Sequence, residues 1–292
     1  MRKASVLTAV CAVLVAGWSV GPATAAPSFG EYVALGDSWA ADATLTQVSD
    51  EFVPVGCVQS AHDYAKQVAA ALRVPNFRDA TCGGAETGNM TGSQSAPLGG
   101  ANPPQFDRLT PATDLVTLEI GGNDAGLAAA VQDCLTLNPA VSPCQAKWVP
   151  GGVDRMSARI AAAAPEVSAT IAGIRARSPH ARILLVDYLE GVDTGGGCFP
   201  VIPISAVDAT WVGHKLIELD AMLAGVAAST GVQFVNTYRG SAGHDACRPP
   251  GTRWVEGLIP WSTTPLGPAV PFHPNQLGAD HQARSVLAAL GR

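Results

Sequence analysis

An alternation of short apolar runs with longer helical stretches constrains the fold of this chain more than any other feature. Four runs have the length and composition of buried strands, at residues 32–35, 115–120, 183–186 and 232–235. Four stretches have helical spacing, at residues 62–72, 154–177 (with a kink or break expected at Pro165), 206–229 and 277–290. Segments 89–111, 138–152 and 241–274 are predicted as loops. Strands that alternate with helices predict an α/β fold with a parallel sheet covered on both faces.

Residues 1–26 have the layout of a secretory signal peptide. Arg2 and Lys3 precede an uncharged apolar run over residues 4–20, and small residues follow. We expect cleavage after Ala25 or Ala26, secretion of the product, and a single mature domain over residues 26–292. A retained anchor is the alternative, since the run is close to the shortest length that spans a bilayer. No later run is long enough to predict stable membrane insertion.

The cysteine count fits an exported protein. The chain of 292 residues has seven cysteines, and loss of Cys11 with the signal peptide leaves six, an even number that predicts disulfides. Fifteen pairings are possible. Sequential pairing, which we expect, joins Cys57–Cys82, Cys134–Cys144 and Cys198–Cys247. A zinc site is the alternative, but no pair of cysteines or histidines has zinc-ligand spacing.

Charge argues against a nucleic-acid partner. The net charge is -6 and only 14% of the residues are charged. The sequence contains no cluster of basic residues of the kind that binds nucleic acid. We therefore expect a monomer that acts on a small-molecule or lipid partner, with no metal and no cofactor.

Short polar motifs follow the predicted strands at the edge where parallel sheets bind ligands. Gly36-Asp37-Ser38 follows the first strand and offers a nucleophile, although serine after aspartate is also common in turns. Gly121-Gly122-Asn123-Asp124 follows the second, where the Asn123 amide is able either to donate to an oxyanion or to cap a helix. Between them, Cys82-Gly83-Gly84-Ala85 offers a glycine N–H. Near the end of the chain, Phe272-His273-Pro274 offers a candidate base beside the last helix.

These motifs resemble those of the SGNH (GDSL) hydrolase family, in its secreted actinobacterial lipase/esterase branch. Gly36-Asp37-Ser38, Gly84, Gly121-Gly122-Asn123-Asp124 and His273-Pro274-Asn275 match the four family blocks in order. The resemblance implies a three-layer α/β/α sandwich with a flavodoxin-like parallel sheet, and three disulfides. It also implies that Ser38 attacks an ester carbonyl, that His273 is the general acid and base, and that the oxyanion hole consists of the Ser38 N–H, the Gly84 N–H and the Asn123 amide.

One position departs from the family pattern. The aspartate usual three residues before the histidine is replaced by Val270, whose side chain cannot orient an imidazole. We expect the Val270 backbone carbonyl to accept from His273 Nδ1–H instead. A remote acid, Glu256 or Asp245, and a damaged site are the alternatives.

The leading interpretation is a secreted ester hydrolase of the lipase or carboxylesterase type. A polysaccharide O-acetyl esterase on the same fold and a non-catalytic secreted binding protein are the alternatives. The G-x-S-x-G elbow of the α/β-hydrolases is absent around Ser38. Aromatic residues near the motifs either line an acyl site or pack in the core, namely Trp39, Trp254, Trp261 and Phe272.

Overall fold

The structure is a computed structural model that describes Met1 and residues 28–292. The predicted signal peptide, apart from Met1, and both cleavage points lie outside the described residues. The strands are β1 Glu31–Gly36, β2 Asn76–Asp79, β3 Gln94–Ser95, β4 Ala101–Asn102, β5 Leu115–Glu119, β6 Arg182–Val186, β7 Gln233–Val235, β8 Trp261–Thr263 and β9 Leu266–Pro268. The helices are α1 Tyr64–Leu72, α2 Gly122–Ala125, α3 Leu127–Asp133, α4 Pro143–Trp148, α5 Arg155–Arg177, α6 Ala206–Thr230 and α7 Gln276–Ala289.

Five strands form the parallel sheet that the sequence predicts. Their order is β2-β1-β5-β6-β7, and the register aligns Val33 with Val116 and Val116 with Ile183. Two small antiparallel hairpins, β3-β4 and β8-β9, lie outside this sheet.

Both faces of the sheet are covered, because successive strand side chains point to opposite sides. Val33 and Leu35 belong to the larger apolar core, together with the buried faces of α5 and α6. Tyr32 and Ala34 belong to the smaller core, with α1 and α7. The protein is therefore the three-layer α/β/α sandwich expected from the resemblance.

Several local features differ from the sequence predictions. The edge strand β2 was missed because its sequence, Asn-Phe-Arg-Asp, is short and polar. Helix α5 passes through Pro165 without interruption. The three predicted loops contain β3-β4, α4 and β8-β9. Within the described residues, none of the helices combines the length and hydropathy needed to cross a membrane.

The six remaining cysteines form the three sequential disulfides, with Cα atoms 4.6 Å apart in Cys57–Cys82, 4.7 Å in Cys134–Cys144 and 5.6 Å in Cys198–Cys247. Asp208 lies beside the second of these. Its carboxylate accepts the Cys144 N–H at 3.1 Å, so it caps the start of α4.

Candidate active site

Ser38 is held where the chain leaves β1. The Gly36 N–H donates to Gln105 Oε1 and the Gln105 amide donates back to the Gly36 carbonyl, both at 2.8 Å. A Cβ at Gly36 would overlap the carbonyl oxygen of Glu119 on the neighbouring strand. Only glycine allows this close approach of two strand ends, which brings Ser38 to the carboxyl edge of the sheet.

His273 reaches the same edge from the loop before α7. Phe272 has a left-handed φ of 55°, and the loop pairs with a neighbouring segment. The Phe272 N–H donates to the Glu256 carbonyl at 3.0 Å, and the Glu256 N–H donates to the His273 carbonyl at 2.9 Å. As a result, His273 Nε2 lies 2.7 Å from Ser38 Oγ, although the two residues are 235 positions apart.

The carbonyl that orients His273 belongs to Pro271, so the prediction of Val270 is wrong. Nδ1 lies 2.7 Å from the Pro271 oxygen. The left-handed turn at Phe272 separates Pro271 from His273 and brings the Pro271 carbonyl to Nδ1 of the ring. Because a carbonyl only accepts, Nδ1 carries the proton and Nε2 is free to accept from Ser38.

The two remote acids have other partners. Glu256 Oε2 accepts from Arg253 Nε at 2.6 Å, and Oε1 accepts from the Asn275 amide at 2.8 Å. Asp245 accepts from Arg248 Nε and from the Cys247 N–H, both at 2.8 Å. Both carboxylates support the histidine loop or its neighbours rather than the imidazole.

Burial lowers the pKa of His273 below its ordinary value of 6.5, and the Pro271 carbonyl partly offsets that shift. The ring is therefore mostly neutral at pH 7. A neutral imidazole whose Nε2 faces a hydroxyl is the form that a general base requires.

The groups expected to hold an oxyanion line one cavity with Ser38. In the described part of the chain, the backbone N–H groups of Ser38 and Gly84 donate no hydrogen bond. The Asn123 amide donates one hydrogen to the Ala85 carbonyl at 2.9 Å, which orients the group and leaves its second hydrogen available. The predicted roles of Ser38, Gly84 and Asn123 remain predictions, but the residues lie together as those roles require.

The cavity has a volume of about 450 Å³ and mostly apolar walls. Trp39 and Phe272 line it, as one of the two sequence interpretations expected, whereas Trp254 stacks between two histidines and Trp261 is exposed. The apolar lining comes from α3 and the residues just after it, the loop between β6 and α6, α6 itself, and the loops on either side of β8-β9. These residues are Leu127, Ala128, Val131, Leu135, Val192, Val212, Leu216, Leu258 and Val270.

Comparison with known proteins agrees with this geometry. Residues 34–281 match the model of the GDSL-like Lipase/Acylhydrolase family. The chain belongs to this family. Membership makes it a carboxylic ester hydrolase, as the motifs predicted.

Relatives within the GDSL-like family include lipases of Streptomyces. Lipase 2 of Streptomyces coelicolor is 33% identical over 277 residues, which cover 92% of this chain and 88% of that protein. A lipase of Streptomyces rimosus is 26% identical and covers 89% and 85% of the two chains. Among solved structures, phospholipase A1 from Streptomyces albidoflavus has a TM-score of 0.69 at 23% identity, over 89% of this chain and 99% of that one. This structural likeness shows the fold.

Sequence analysis missed one residue that joins two of the family blocks. The Tyr188 hydroxyl donates to Asp37 Oδ2 at 2.7 Å and accepts the Gly122 N–H at 2.9 Å. Burial raises the pKa of Asp37 to about 6, although bonds from Tyr188 and the Trp39 N–H favour its charged form. Tyr188 thus ties the segment of Ser38 to the segment of Asn123. No motif surrounds it, and only its place after a predicted strand could have drawn attention to it.

A second acid of the GDSL-like blocks has a similar joining role. Asp124 accepts the Thr87 N–H at 3.0 Å, and the Thr87 hydroxyl also donates to it. Thr87 begins the turn that follows Gly84. The contact therefore fixes the Gly84 segment relative to Asn123.

Proposed function

We propose that this chain is a serine esterase or lipase whose reaction proceeds through an acyl-enzyme on Ser38. The observation that carries the proposal is the 2.7 Å contact between Ser38 Oγ and His273 Nε2 at the side of an apolar cavity. Few other arrangements give a serine hydroxyl both a neutral base and adjacent free N–H groups.

In the proposed reaction, Ser38 Oγ attacks the ester carbonyl while its proton passes to His273 Nε2. Negative charge develops on the carbonyl oxygen and is stabilised by the N–H groups of Ser38 and Gly84 and by the Asn123 amide. Collapse of this intermediate expels the alcohol, which takes the proton from His273. Water then attacks the acyl-enzyme while His273 takes its proton. The bond between the acyl carbon and Ser38 Oγ breaks, Oγ takes the proton back from His273, and the acid is released.

The cavity favours an acyl chain of medium or greater length. Polar groups gather around Ser38, whereas much of the remaining wall consists of aliphatic side chains such as Val131 in α3, Leu135 just after it and Leu216 in α6. Burying each methylene there is favourable by about 0.8 kcal/mol. An acetyl group would leave most of this surface unused.

Hydrolysis of a p-nitrophenyl ester series from acetate to dodecanoate tests the proposal. We expect kcat/KM to rise with chain length over the first several members and activity to disappear in Ser38→Ala. Activity that survives in Ser38→Ala would exclude the proposed nucleophile. Absence of activity in the wild type would favour a binding protein, and a preference for acetate would favour the O-acetyl esterase alternative.

We also propose that the chain is exported, that residues 1–25 are removed, and that residues 26–292 form one hydrolase domain. The charged and apolar composition of the N-terminal segment and three disulfides support export. Mass spectrometry of the protein from culture medium is expected to find Ala26 or Pro27 as the first residue. An intact N-terminus would contradict cleavage.

A further inference from the structure

The hairpin β8-β9 carries an unusual apolar surface beside the active site. Ile259, Trp261 and Leu266 are 83%, 55% and 74% exposed and lie within eight residues of one another in the sequence. Residues 257–279 contain no Asp, Glu, Lys or Arg. A contiguous apolar and uncharged surface of this kind is typical of an interaction site.

The strand register places Trp261 and Leu266 on one face, and Ile259 lies two residues before Trp261. Trp261 pairs with Pro268, and Thr263 pairs with Leu266, and all four residues are exposed. The alternate residues, Ser262 and Gly267, are buried.

The hairpin is firmly held on its inner side. A Cβ at Gly267 would lie 2.9 Å from Thr46 Cγ2, so β9 packs closely against the segment that contains Thr46. The Ala269 N–H donates to the Pro260 carbonyl at 2.8 Å, and Arg253 donates to the Trp261 carbonyl at 2.9 Å. The outer apolar face is therefore presented by a fixed element.

This surface is continuous with the candidate substrate cavity. Leu258, immediately before Ile259, lines the cavity, and so do Val270 and Pro271, just after the hairpin. Both ends of the segment thus open into the site of the proposed reaction. An apolar substrate that touches the hairpin would lie next to the route to Ser38.

We propose that the outer face of β8-β9 docks on the surface of an aggregated, uncharged lipid ester and delivers acyl chains from it to Ser38. The proposal rests on the proposed esterase function. The absence of charge over residues 257–279 in a chain of net charge -6 favours an uncharged surface over an anionic one. Among the described residues, the Trp261 indole N–H donates no hydrogen bond, and such a group suits the boundary between lipid and water.

The test compares a hairpin variant, Ile259→Ser with Trp261→Ser and Leu266→Ser, with a control variant. The control replaces the exposed residues Leu137, Val153 and Val207 by serine, which removes apolar surface outside the hairpin. None of the six side chains lines the cavity. Both variants are assayed on soluble p-nitrophenyl acetate and on an emulsified triglyceride.

We expect the hairpin variant to retain its kcat/KM on the soluble ester within about twofold and to lose about tenfold or more in rate on the emulsion, because each lost contact weakens docking. The control variant is expected to keep both activities. Equal emulsion rates in wild type and hairpin variant would overturn the proposal, as would an equal loss in the control. A matching loss on both substrates would show that the hairpin only supports the site.

A binding assay separates docking from catalysis. In the Ser38→Ala background, co-sedimentation with phosphatidylcholine vesicles is expected to fall about tenfold with the three hairpin substitutions, and to persist at about 1 M salt, where charge attraction is screened. Co-sedimentation does not depend on turnover, so it still measures lipid docking if the esterase assay shows no activity. Unchanged binding would refute lipid docking. A change from dimer to monomer in the variant, measured by light scattering, would instead identify a second copy as the occupant.

Discussion

At the scale of single residues, the site depends on a histidine oriented by a neutral group. The Pro271 carbonyl fixes the Nδ1–H tautomer of His273 but stabilises an imidazolium less than a carboxylate would. Burial lowers the pKa of His273, and the Pro271 carbonyl only partly offsets that shift. In the proposed reaction, the three oxyanion donors offset this weaker stabilisation, because they act on the charge of the transition state directly.

A neutral orienting group predicts that no carboxylate acts as a third catalytic member. Removing the acid of a Ser-His-Asp triad lowers kcat by about ten-thousand-fold. For Asp245→Asn and Glu256→Gln we expect kcat on a p-nitrophenyl ester to fall by less than about tenfold. Glu256→Gln is expected to lower Tm, because it weakens the buried pair with Arg253. If kcat fell several thousand-fold in either variant while Tm stayed nearly unchanged, the substituted acid would be part of the catalytic mechanism.

Substitution of Tyr188 is expected to affect both stability and kcat, because its hydroxyl positions Asp37 and Gly122. In Tyr188→Phe, both Asp37 Oδ2 and the Gly122 N–H lose a partner. We expect a loss of about 1–3 kcal/mol in the free energy of unfolding. We also expect a fall of about tenfold in kcat with little change in KM, because the Asn123 segment is less well placed for the oxyanion.

Tyr32→Phe is the matched control for this prediction. The Tyr32 hydroxyl is also buried and bonds to Thr117 Oγ1 at 2.7 Å, but on the sheet face covered by α1 and α7. A similar loss of stability with unchanged kcat is expected there. If both variants lost kcat to the same degree, the effect of Tyr188 would be one of general stability.

At the scale of elements, sequence patterns predicted the strands that carry the site, but they did not predict the contacts between those strands. Ser38 and Asn123 were found because each follows an apolar run at the edge where ligands bind. Tyr188 was missed because its partner Asp37 is 151 residues away, and no local pattern encodes that contact. Pro271 was missed because the left-handed turn at Phe272 depends on pairing with Glu256. Strand β2 was missed because it is short and polar.

The disulfides give an element-scale prediction about the loop of Gly84. Cys57–Cys82 anchors this loop, and the Gly83 N–H donates to the Cys57 carbonyl at 3.0 Å. Cys198–Cys247 closes a longer loop that does not carry an oxyanion donor. With sequence separations of 25 and 49, replacing either pair by alanine is expected to cost about 3–4 kcal/mol of stability.

The two double variants should differ in kcat. We expect Cys57→Ala with Cys82→Ala to lower kcat about tenfold, because a mobile loop places the Gly84 N–H poorly. Cys198→Ala with Cys247→Ala is expected to change kcat less than about twofold at a temperature well below its Tm. Rates on a p-nitrophenyl ester and thermal unfolding of both proteins measure this. Identical kcat values would show that the Gly84 loop is fixed by its hydrogen bonds alone.

At the scale of the whole molecule, packing two helical layers on the sheet buries several acids beside the catalytic edge. Burial raises the pKa of Asp37 and of Asp187 to about 6 and that of Asp42 to about 8. Asp42 Oδ1 and Asp187 Oδ2 have no hydrogen-bond partner among the described residues. The fold thus holds carboxyl groups that are more easily buried when protonated.

These shifts predict that the protein is more stable in mildly acidic solution than at pH 8. A carboxyl group whose folded pKa exceeds its unfolded value of about 3.9 contributes most below that value, and its contribution is lost as the pH rises through the folded pKa. The pH range over which stability is lost begins at about pH 4 for all three acids. It ends at about pH 6 for Asp37 and Asp187 and at about pH 8 for Asp42. Asp133, whose pKa is lowered by its bond from Lys147, opposes the trend only at lower pH. His273 and His281, whose pKa values burial lowers from 6.5, oppose it as the pH rises toward 6.5, but the acids with raised pKa values are more numerous.

We therefore expect Tm to be lower at pH 8 than at pH 5, with the clearest fall above about pH 6.5, where Asp42 still titrates and the histidines no longer oppose the trend. Asp42→Asn should flatten this slope and raise Tm at pH 8, because an amide resembles the protonated acid and asparagine tolerates the left-handed φ of 44° at this position. Asp50→Asn, at an exposed surface site, should leave the slope unchanged. Calorimetry over this range measures all three proteins. A Tm that rises toward pH 8 would mean that the buried acids remain solvated or paired enough to keep ordinary pKa values.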